Sequence, residues 1–310
     1  MAQPAGAAVT ALRPDMAPSR PRAGLLAELA GSPRALAATC FLAALVAAAV
    51  AADLYPRSPT EQDLGRILVP PSLQGYVDGE GRRVIYLLGT DGLGRDLAAR
   101  VLHGARTSLA VGAGATGLAA AIGTTLGLAA GYVGRGVDRA VSALVDMLMS
   151  LPFMVVAIAV IAVVGPGVAK LVVVLGCTGW VGFARLVRAR VLELKTEEFV
   201  EAVRACGGSD LRIVTRHILP NALPLVIVEA TLQLGGMILT EAGLSFLGLG
   251  VPPPAPTWGG IVSEGQMYIY SAWWIATVPG LLLALTVLSV NFAGDFLRDR
   301  LDPRAGERGA

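Results

Sequence analysis

One stretch, flanked by two long apolar runs, holds the most informative pattern in this chain: Lys195-Thr-Glu-Glu-Phe-Val-Glu-Ala-Val-Arg-Ala-Cys-Gly-Gly-Ser-Asp-Leu-Arg-Ile-Val-Thr-Arg-His-Ile-Leu-Pro220. Thr196 can cap a first helix, Gly207-Gly208 would end that helix, and Ser209 can cap a second one. The pattern therefore predicts two short helices joined at a glycine elbow.

Both predicted helices are amphipathic. Their apolar positions follow helical spacing and comprise Phe199, Val203 and Cys206 in the first helix and Leu211, Val214 and Ile218 in the second. Neither helix is long enough to be stable alone, so each needs the membrane domain or a second protein to cover it. A helix lying on lipid is the alternative. The acidic residues would be repelled by an anionic leaflet, which favours a protein partner.

Composition places this loop in a polytopic membrane protein. Of the 310 residues, 54% are hydrophobic and only 15% are charged, with a mean hydropathy of +0.64. A soluble domain carries roughly a quarter charged residues. The net charge of +2 gives no indication of a nucleic-acid partner. The three cysteines lie far apart, so neither a metal site nor a disulfide framework is indicated.

Six apolar runs are long enough to cross a bilayer, which takes roughly 20 helical residues. They cover residues 35–52, 109–132, 140–164, 168–187, 222–247 and 273–296. The sequence therefore predicts an all-α membrane protein with six transmembrane helices. Lys and Arg are concentrated on the side that holds the N-terminus, which predicts that both termini are cytoplasmic.

The rest of the chain divides around these runs. The Pro- and Arg-rich residues 1–34 predict a disordered, basic cytoplasmic tail, followed by a first transmembrane helix at 35–52 that is too wide for a cleaved signal. The segment 53–108 predicts a periplasmic cap. The transmembrane core spans 109–297 and contains the cytoplasmic loop 195–220, and residues 298–310 form a cytoplasmic tail. The proline-rich segment 251–260 predicts a stiff, extended connection that leads to an aromatic belt formed by Tyr268, Tyr270, Trp273 and Trp274.

Small residues form a ridge on the second apolar run. Gly123, Gly127 and Gly131 recur every four residues, and Ala115 and Ala119 continue the series. Small residues at this spacing allow another helix to approach closely in the membrane. The ridge therefore predicts tight helix packing without catalytic meaning.

Polar residues form a stripe on the fifth run. Glu229, Gln233, Gly236 and Thr240 lie on one helical face. Ionisable groups at membrane depth are costly and face water or a partner. One interpretation is that Glu229, Gln233 and Thr240 line a translocation pathway. The alternative is that Glu229 pairs with an arginine of a neighbouring helix.

A family resemblance follows from several strings together. Glu201-Ala202-Val203, Gly207 and Leu219-Pro220 resemble the EAA loop of ABC importer permeases. Five wider strings resemble one branch of these permeases, namely Leu88–Asp96, Asp146–Pro152, Arg216–Asn221, Glu241–Gly250 and Leu297–Pro303. The chain is similar to the second permease subunit of dipeptide, oligopeptide and nickel importers.

This resemblance implies a type I ABC importer permease in the bacterial inner membrane. It implies a translocation mechanism of alternating access that is driven by ATP and moves short peptides, nickel or a related solute. The implied partners are a second homologous permease subunit, two cytoplasmic ATPase subunits and a periplasmic or lipid-anchored solute-binding protein. The loop would insert into a cleft of an ATPase through Phe199, Glu201, Ala202, Gly207, Gly208 and Ser209.

Other functional classes lack a signal in this sequence. Neither Lys170 nor Lys195 follows a glycine, so the chain has no phosphate-binding loop, and ATP hydrolysis is expected in separate subunits. His103 and His217 are well separated, and no catalytic residues, metal site or cofactor are predicted. An ion-driven secondary transporter remains the alternative, although its typical internal repeat is not evident. A membrane-embedded assembly protein is a second alternative.

Overall fold

The computed structural model describes residues 25–77 and 83–301. The predicted tails therefore lie largely outside the described residues, at positions 1–24 and 302–310. Residues 25–34 were expected to belong to the disordered tail, but they are helical. A short helix occupies Leu25–Gly31, and the next begins at Pro33, because proline is well tolerated in the first turn of a helix.

Helices account for nearly all regular structure within the described ranges. They are α1 Leu25–Gly31, α2 Pro33–Val50, α3 Leu97–Val133, α4 Arg135–Met149, α5 Phe153–Val164, α6 Val168–Gly179, α7 Val181–Leu194, α8 Glu198–Ala205, α9 Asp210–Ile213, α10 Leu219–Phe246, α11 Trp258–Gly265 and α12 Trp274–Leu301. Two short strands, β1 Tyr76–Val77 and β2 Arg83–Val84, pair antiparallel between α2 and α3.

Four continuous helical segments are long and apolar enough to cross a membrane: Pro33–Leu54, Leu97–Val133, Asp210–Phe246 and Trp274–Leu301. The other two predicted spans are bent pairs of helices. Helices α4 and α5 meet at 89°, and α6 and α7 meet at 41°. Pro152 explains the sharper bend, since it lacks an N–H donor and pushes the residue before it out of the helical region. The structure thus contains four continuous candidate spans, and six if each bent pair crosses the membrane once.

Helix α3 begins at Leu97, well before the predicted Leu109. Asp96 caps it, because its Oδ1 accepts a hydrogen bond from the backbone N–H of Ala99 at 3.0 Å. The segment ahead of α3, which contains the β1–β2 hairpin, forms the cap. We call this side of the bundle the cap end and the side with residues 195–218 the loop end.

The glycine ridge of α3 packs directly against α7, as the sequence predicts. A side chain at Gly123 would lie 2.5 Å from the carbonyl oxygen of Trp180, and one at Gly127 would lie 2.7 Å from that of Ala184. At Gly131 the nearest atom would be the Cβ of Val191, at 2.7 Å. Contacts this short leave no room for any side chain, so the prediction of close helix packing is confirmed.

The proline-rich connection differs from the extended segment predicted for 251–260. It contains a cis bond between Pro253 and Pro254, and α11 already begins at Trp258. The predicted aromatic belt is only partly exposed. Trp273 and Tyr270 face outward, whereas Trp274 is buried and its Nε1 donates to the carbonyl of Thr90 at 3.2 Å.

Candidate functional site

The loop end forms a helix–turn–helix with a glycine at its turn. The Gly208 N–H donates to the carbonyl of Val203 at 2.9 Å, and the Gly207 N–H donates to that of Arg204 at 3.0 Å. These two bonds are the Schellman arrangement that ends many helices, and it requires a left-handed residue after the cap. Gly207 fills that position with a φ of +78°.

The second glycine of the elbow is needed for a different reason. A side chain at Gly208 would lie 2.6 Å from Cγ1 and 2.9 Å from the carbonyl oxygen of Val203. The elbow therefore brings the chain back against the end of α8. Ser209 then caps α9, with its Oγ accepting from the N–H of Arg212 at 3.4 Å. A π-helical turn at Val214–Ile218 leads directly into α10.

Burial divides the loop into an anchored face and an open face. Val200, Ile213 and Ile218 are fully buried in the main core. By contrast, the side chains of Phe199 and Leu211 are 40% and 74% exposed. The predicted apolar positions are therefore confirmed only in part. Ile218 is buried and Val203 and Val214 are half-buried, whereas Phe199, Cys206 and Leu211 are exposed.

The predicted coupling residues are mostly exposed. Phe199, Glu201, Ala202, Gly207 and Ser209 are exposed, and Gly208 is half-buried. The buried side chains of Val200 and Ile213 anchor the two helices that carry them.

Polar contacts tie this loop to the end of α3. The Tyr132 hydroxyl donates to the Asp210 carboxylate, and Lys195 Nζ donates to the carbonyl of Gly131 at 3.0 Å. Next to them, Arg188 of α7 holds Asp138 of α4 through two parallel bonds, one of them 2.8 Å long. The loop is therefore connected to the end of α3, and α7 is connected to α4 beside it.

The polar stripe of α10 faces the junction between α6 and α7. Gln233 Nε2 donates to the carbonyl of Gly179 at 2.7 Å, where α6 ends. Glu229 lies one turn away, with its Oε1 directed at Gly182, and no ion pair involves it among the described residues. The Thr240 hydroxyl bonds to the carbonyl of Gly236 in its own helix at 2.8 Å. The stripe thus contains one residue bonded to a neighbouring helix and one free carboxylate.

A charged cluster at the cap end was not predicted as a site. Arg95 Nε donates to Asp91 at 2.7 Å, and Arg95 Nη2 donates to Glu264 of α11 at 2.6 Å. Arg100 of α3 binds the same two carboxylates. Three of these residues lie in or beside the string Leu88–Asp96, but Glu264 is remote in sequence. Only the tertiary structure reveals the cluster.

A buried carboxylic acid lies deeper at the same end. Glu241 of α10 is fully buried and accepts hydrogen bonds from Ser108 Oγ at 2.9 Å and Ser245 Oγ at 2.7 Å. Ser108 Oγ also accepts from the N–H of Trp258 at 3.3 Å. Glu241 therefore joins α3, α10 and the start of α11 in one network. Glu241 is the first residue of the string Glu241–Gly250, but no local pattern distinguishes it from its neighbours.

A cavity of about 230 Å³ opens beside these two networks. It is lined by the charged residues Arg95, Arg100 and Glu264, by hydroxyl groups including Ser245 and Ser263, and by the proline-rich segment 250–257. Within the described parts of the chain, no group of three or more His, Cys, Asp or Glu residues could hold a metal ion.

Comparisons with known proteins agree on one class. Residues 123–307 match the family model described as "Binding-protein-dependent transport system inner membrane component". The di/tripeptide transport system permease protein DppC of Pseudomonas aeruginosa is 39% identical over 271 residues, which cover 87% of this chain and 88% of the relative. The glutathione transport system permease protein GsiD of Pectobacterium atrosepticum is 42% identical, covering 76% and 80%.

A solved structure is also similar. A chain of the MetNI methionine ABC transporter, in an inward-facing conformation, superposes with a TM-score of 0.54 at 26% sequence identity. The match covers 66% of this chain and 96% of that chain.

Proposed function

The chain belongs to the family of binding-protein-dependent transport system inner membrane components, and from that premise we propose that it carries short peptides through an ATP-driven importer. As a member of this family, it is a multi-pass inner-membrane permease subunit of an ABC importer and not an enzyme. ATP hydrolysis takes place in separate subunits, and a substrate-binding protein delivers the solute. The substrate class, the second permease and the residue roles are the proposal.

Peptides are the substrate class that the similar proteins support. The relatives compared above are named for di- and tripeptides and for glutathione, which is itself a tripeptide. A third relative, from Haemophilus influenzae, is named for oligopeptides and is 38% identical over 82% of this chain. We therefore assign short peptides in preference to nickel or a related solute.

The assignment of coupling to the ATPase rests on the open face of the 195–220 loop. Its glycine elbow fixes the angle between α8 and α9, and three buried side chains anchor it to the core. Force is transmitted well through close-packed contacts, because protein interiors are barely compressible. We assign contact with the ATPase to Phe199, Glu201, Ala202 and Ser209, with Gly207 and Gly208 setting the shape. With this assignment we propose that the loop end lies in the cytoplasm and the cap end in the periplasm.

The pathway is assigned to the stripe on α10, together with a second homologous permease. Glu229 has no ion-pair partner among the described residues and would gain one, or water, at a subunit interface. In this arrangement Glu229 and Thr240 face the path, and Gln233 supports the bent helix beside them. The described bundle then forms one half of a heterodimer that switches by alternating access.

Reconstitution separates this function from its alternative. The chain, a second permease and two ATPase subunits are placed in liposomes with a peptide receptor, in the absence of any ion gradient. Uptake of a labelled dipeptide should require ATP and stop when the phosphate-binding lysine of the ATPase is replaced. Uptake that follows an imposed ion gradient and ignores ATP would instead establish a secondary transporter.

A further inference from the structure

Two arginines at the cap end share a single fixed counter-ion. Asp91 is 1% exposed, and its Oδ1 accepts from the backbone N–H groups of Leu93 at 2.9 Å and Arg95 at 3.0 Å. Its Oδ2 binds Arg95 Nε and Arg100 Nη1. Asp91 is thus held in place by the backbone of its own turn, and it stays bound to both arginines. Two guanidinium groups with one such carboxylate retain one positive charge.

The second carboxylate comes from a different element and is more accessible. Glu264 of α11 accepts from Arg95 Nη2 at 2.6 Å and from Arg100 Nη2 at 2.9 Å. Its side chain is 39% exposed, whereas that of Asp91 is 1% exposed. No backbone N–H holds Glu264 in place among the described residues. Of the two carboxylates, Glu264 is therefore the one that can be exchanged.

The cavity gives a ligand access to this pair. Arg95, Arg100 and Glu264 all line it, and the hydroxyl of Ser263 lies beside them. Arg100 Nε is buried and makes no hydrogen bond within the described chain, and the Arg100 side chain is only 3% exposed. An unused charged donor in such a place favours an anionic ligand. The cavity has a volume of about 230 Å³, which is below the roughly 300–1,000 Å³ of pockets that enclose a drug-sized molecule. The cavity therefore suits one end of a longer ligand.

We propose that Arg95 and Arg100 bind the C-terminal carboxylate of a peptide, which takes the position that the Glu264 carboxylate occupies in this structure. The proposal rests on the proposed function, because a peptide supplies the carboxylate. One carboxylate leaves and another arrives, so the charge of the pair stays balanced. Guanidinium groups recognise carboxylates through paired, charge-assisted bonds, which is the geometry that Glu264 shows.

The exchange of one carboxylate for the other also separates α11 from the start of α3. The bonds of Glu264 join α11 to the turn at residues 91–95 and to the start of α3. A peptide that displaces Glu264 breaks this connection while keeping the arginines satisfied. Binding at the cavity would thus loosen the cap end only when a carboxylate is present.

The test measures binding to the permease–ATPase complex in nanodiscs, without the receptor. The probes are glycylglycine, its C-terminal amide and acetate. Their binding is measured by calorimetry or saturation-transfer NMR. Glu264→Ala should bind glycylglycine several-fold more tightly, because the internal competitor is removed. Arg95→Gln should weaken it at least tenfold, and Arg95→Lys less. Glu193→Ala, at the loop end, is the control and should match the unaltered complex.

The outcomes separate the site from the transport function. Unchanged or weaker binding by Glu264→Ala would overturn the proposal, as would equal binding of the peptide and its amide. Acetate binding as tightly as glycylglycine would overturn the assignment to a peptide. Since tighter binding requires a folded protein, the Glu264 result does not depend on the stability of the arginine variants. If one of these binding results is found while the unaltered importer still takes up peptide with ATP, the cavity assignment fails and the proposed function stands.

Discussion

The side-chain amide of Gln233 in α10 donates a 2.7 Å hydrogen bond to the carbonyl of Gly179, at the point where α6 ends and α7 is about to begin. A carbonyl at a helix break lacks its usual partner in the helix and is costly to leave unpaired in a membrane. Gln233 therefore stabilises the 41° bend between α6 and α7.

Replacement of Gln233 should weaken this bend. Gln233→Leu removes the only side-chain bond described to the Gly179 carbonyl, and we expect a loss of about 1 kcal/mol in stability. Thermal unfolding of the purified subunit in detergent measures this loss. Thr240→Val is the matched control, since Thr240 bonds only within its own helix. Equal melting temperatures of the two variants would contradict the role given to Gln233.

Gly207→Val should abolish transport while membrane insertion stays normal. A β-branched residue at a φ of +78° is strained by roughly 1–2 kcal/mol, and the elbow must reopen to accommodate it. Peptide uptake and ATPase co-purification are the measurements. Gly136→Val is the control, because Gly136 has no positive φ and no atom within 4 Å of an added Cβ. Gly207→Asn should restore part of the activity, since asparagine tolerates this region. Normal uptake by Gly207→Val would remove the coupling role of the elbow.

Gly127→Val should prevent α3 and α7 from packing. The added Cβ would lie 2.7 Å from the carbonyl oxygen of Ala184, which is backbone and cannot swing aside. We expect the variant to insert into the membrane but to unfold at lower temperature and to be recovered in low yield. Gly117→Val on the same helix has nothing within 4 Å and serves as the control. Equal stability of both variants would show that the two helices can separate at little cost.

Glu241→Ala should destabilise the cap end by about 1–3 kcal/mol, because the hydroxyls of Ser108 and Ser245 lose their acceptor in a buried site. Glu241→Gln keeps an acceptor oxygen and should lose less. Chemical or thermal unfolding distinguishes the two. An exposed carboxylate in the cap, Glu61, provides the control variant Glu61→Ala. If the alanine and glutamine variants at 241 were equally stable, the hydrogen bonds would contribute nothing.

Glu229→Ala should change the rate of peptide uptake with the ATPase subunits still bound. Glu229 has no ion pair among the described residues, so its removal leaves no cation unpaired within this chain. Uptake in proteoliposomes and co-purification of the ATPases are measured together. Unchanged uptake, or loss of assembly, would favour a structural role for Glu229 and place the pathway elsewhere.

Sequence patterns predict features formed by residues that are close together along the chain. They miss the direction in which a helix bends and the contacts between residues that are far apart in sequence. The four-residue period predicts the glycine ridge at Gly123, Gly127 and Gly131, and the local glycine pair predicts the elbow at Gly207. The 89° bend before Phe153 was missed, because hydropathy is the same for a straight and a bent apolar run. The family resemblance is confirmed by the relatives and by the family model.

The charged cluster is a second feature that local sequence patterns do not predict. Asp91 and Arg95 lie within a string that the sequence singled out, but Glu264 is 169 residues from Arg95. No local spacing connects them, since the contact exists only after α11 has folded back against α3. Likewise Val200 is buried and Phe199 is exposed, a difference that helical spacing alone does not determine.

Helix α3 runs unbroken for 37 residues, about 55 Å at 1.5 Å per residue. Arg100 sits in the charged cluster near its first turn, and Tyr132 touches the loop near its last. Because one continuous helix joins these two regions, a tilt of α3 at one end also moves the other end. In the proposed importer, α3 would therefore connect the loop assigned to the ATPase with the charged cluster assigned to the peptide.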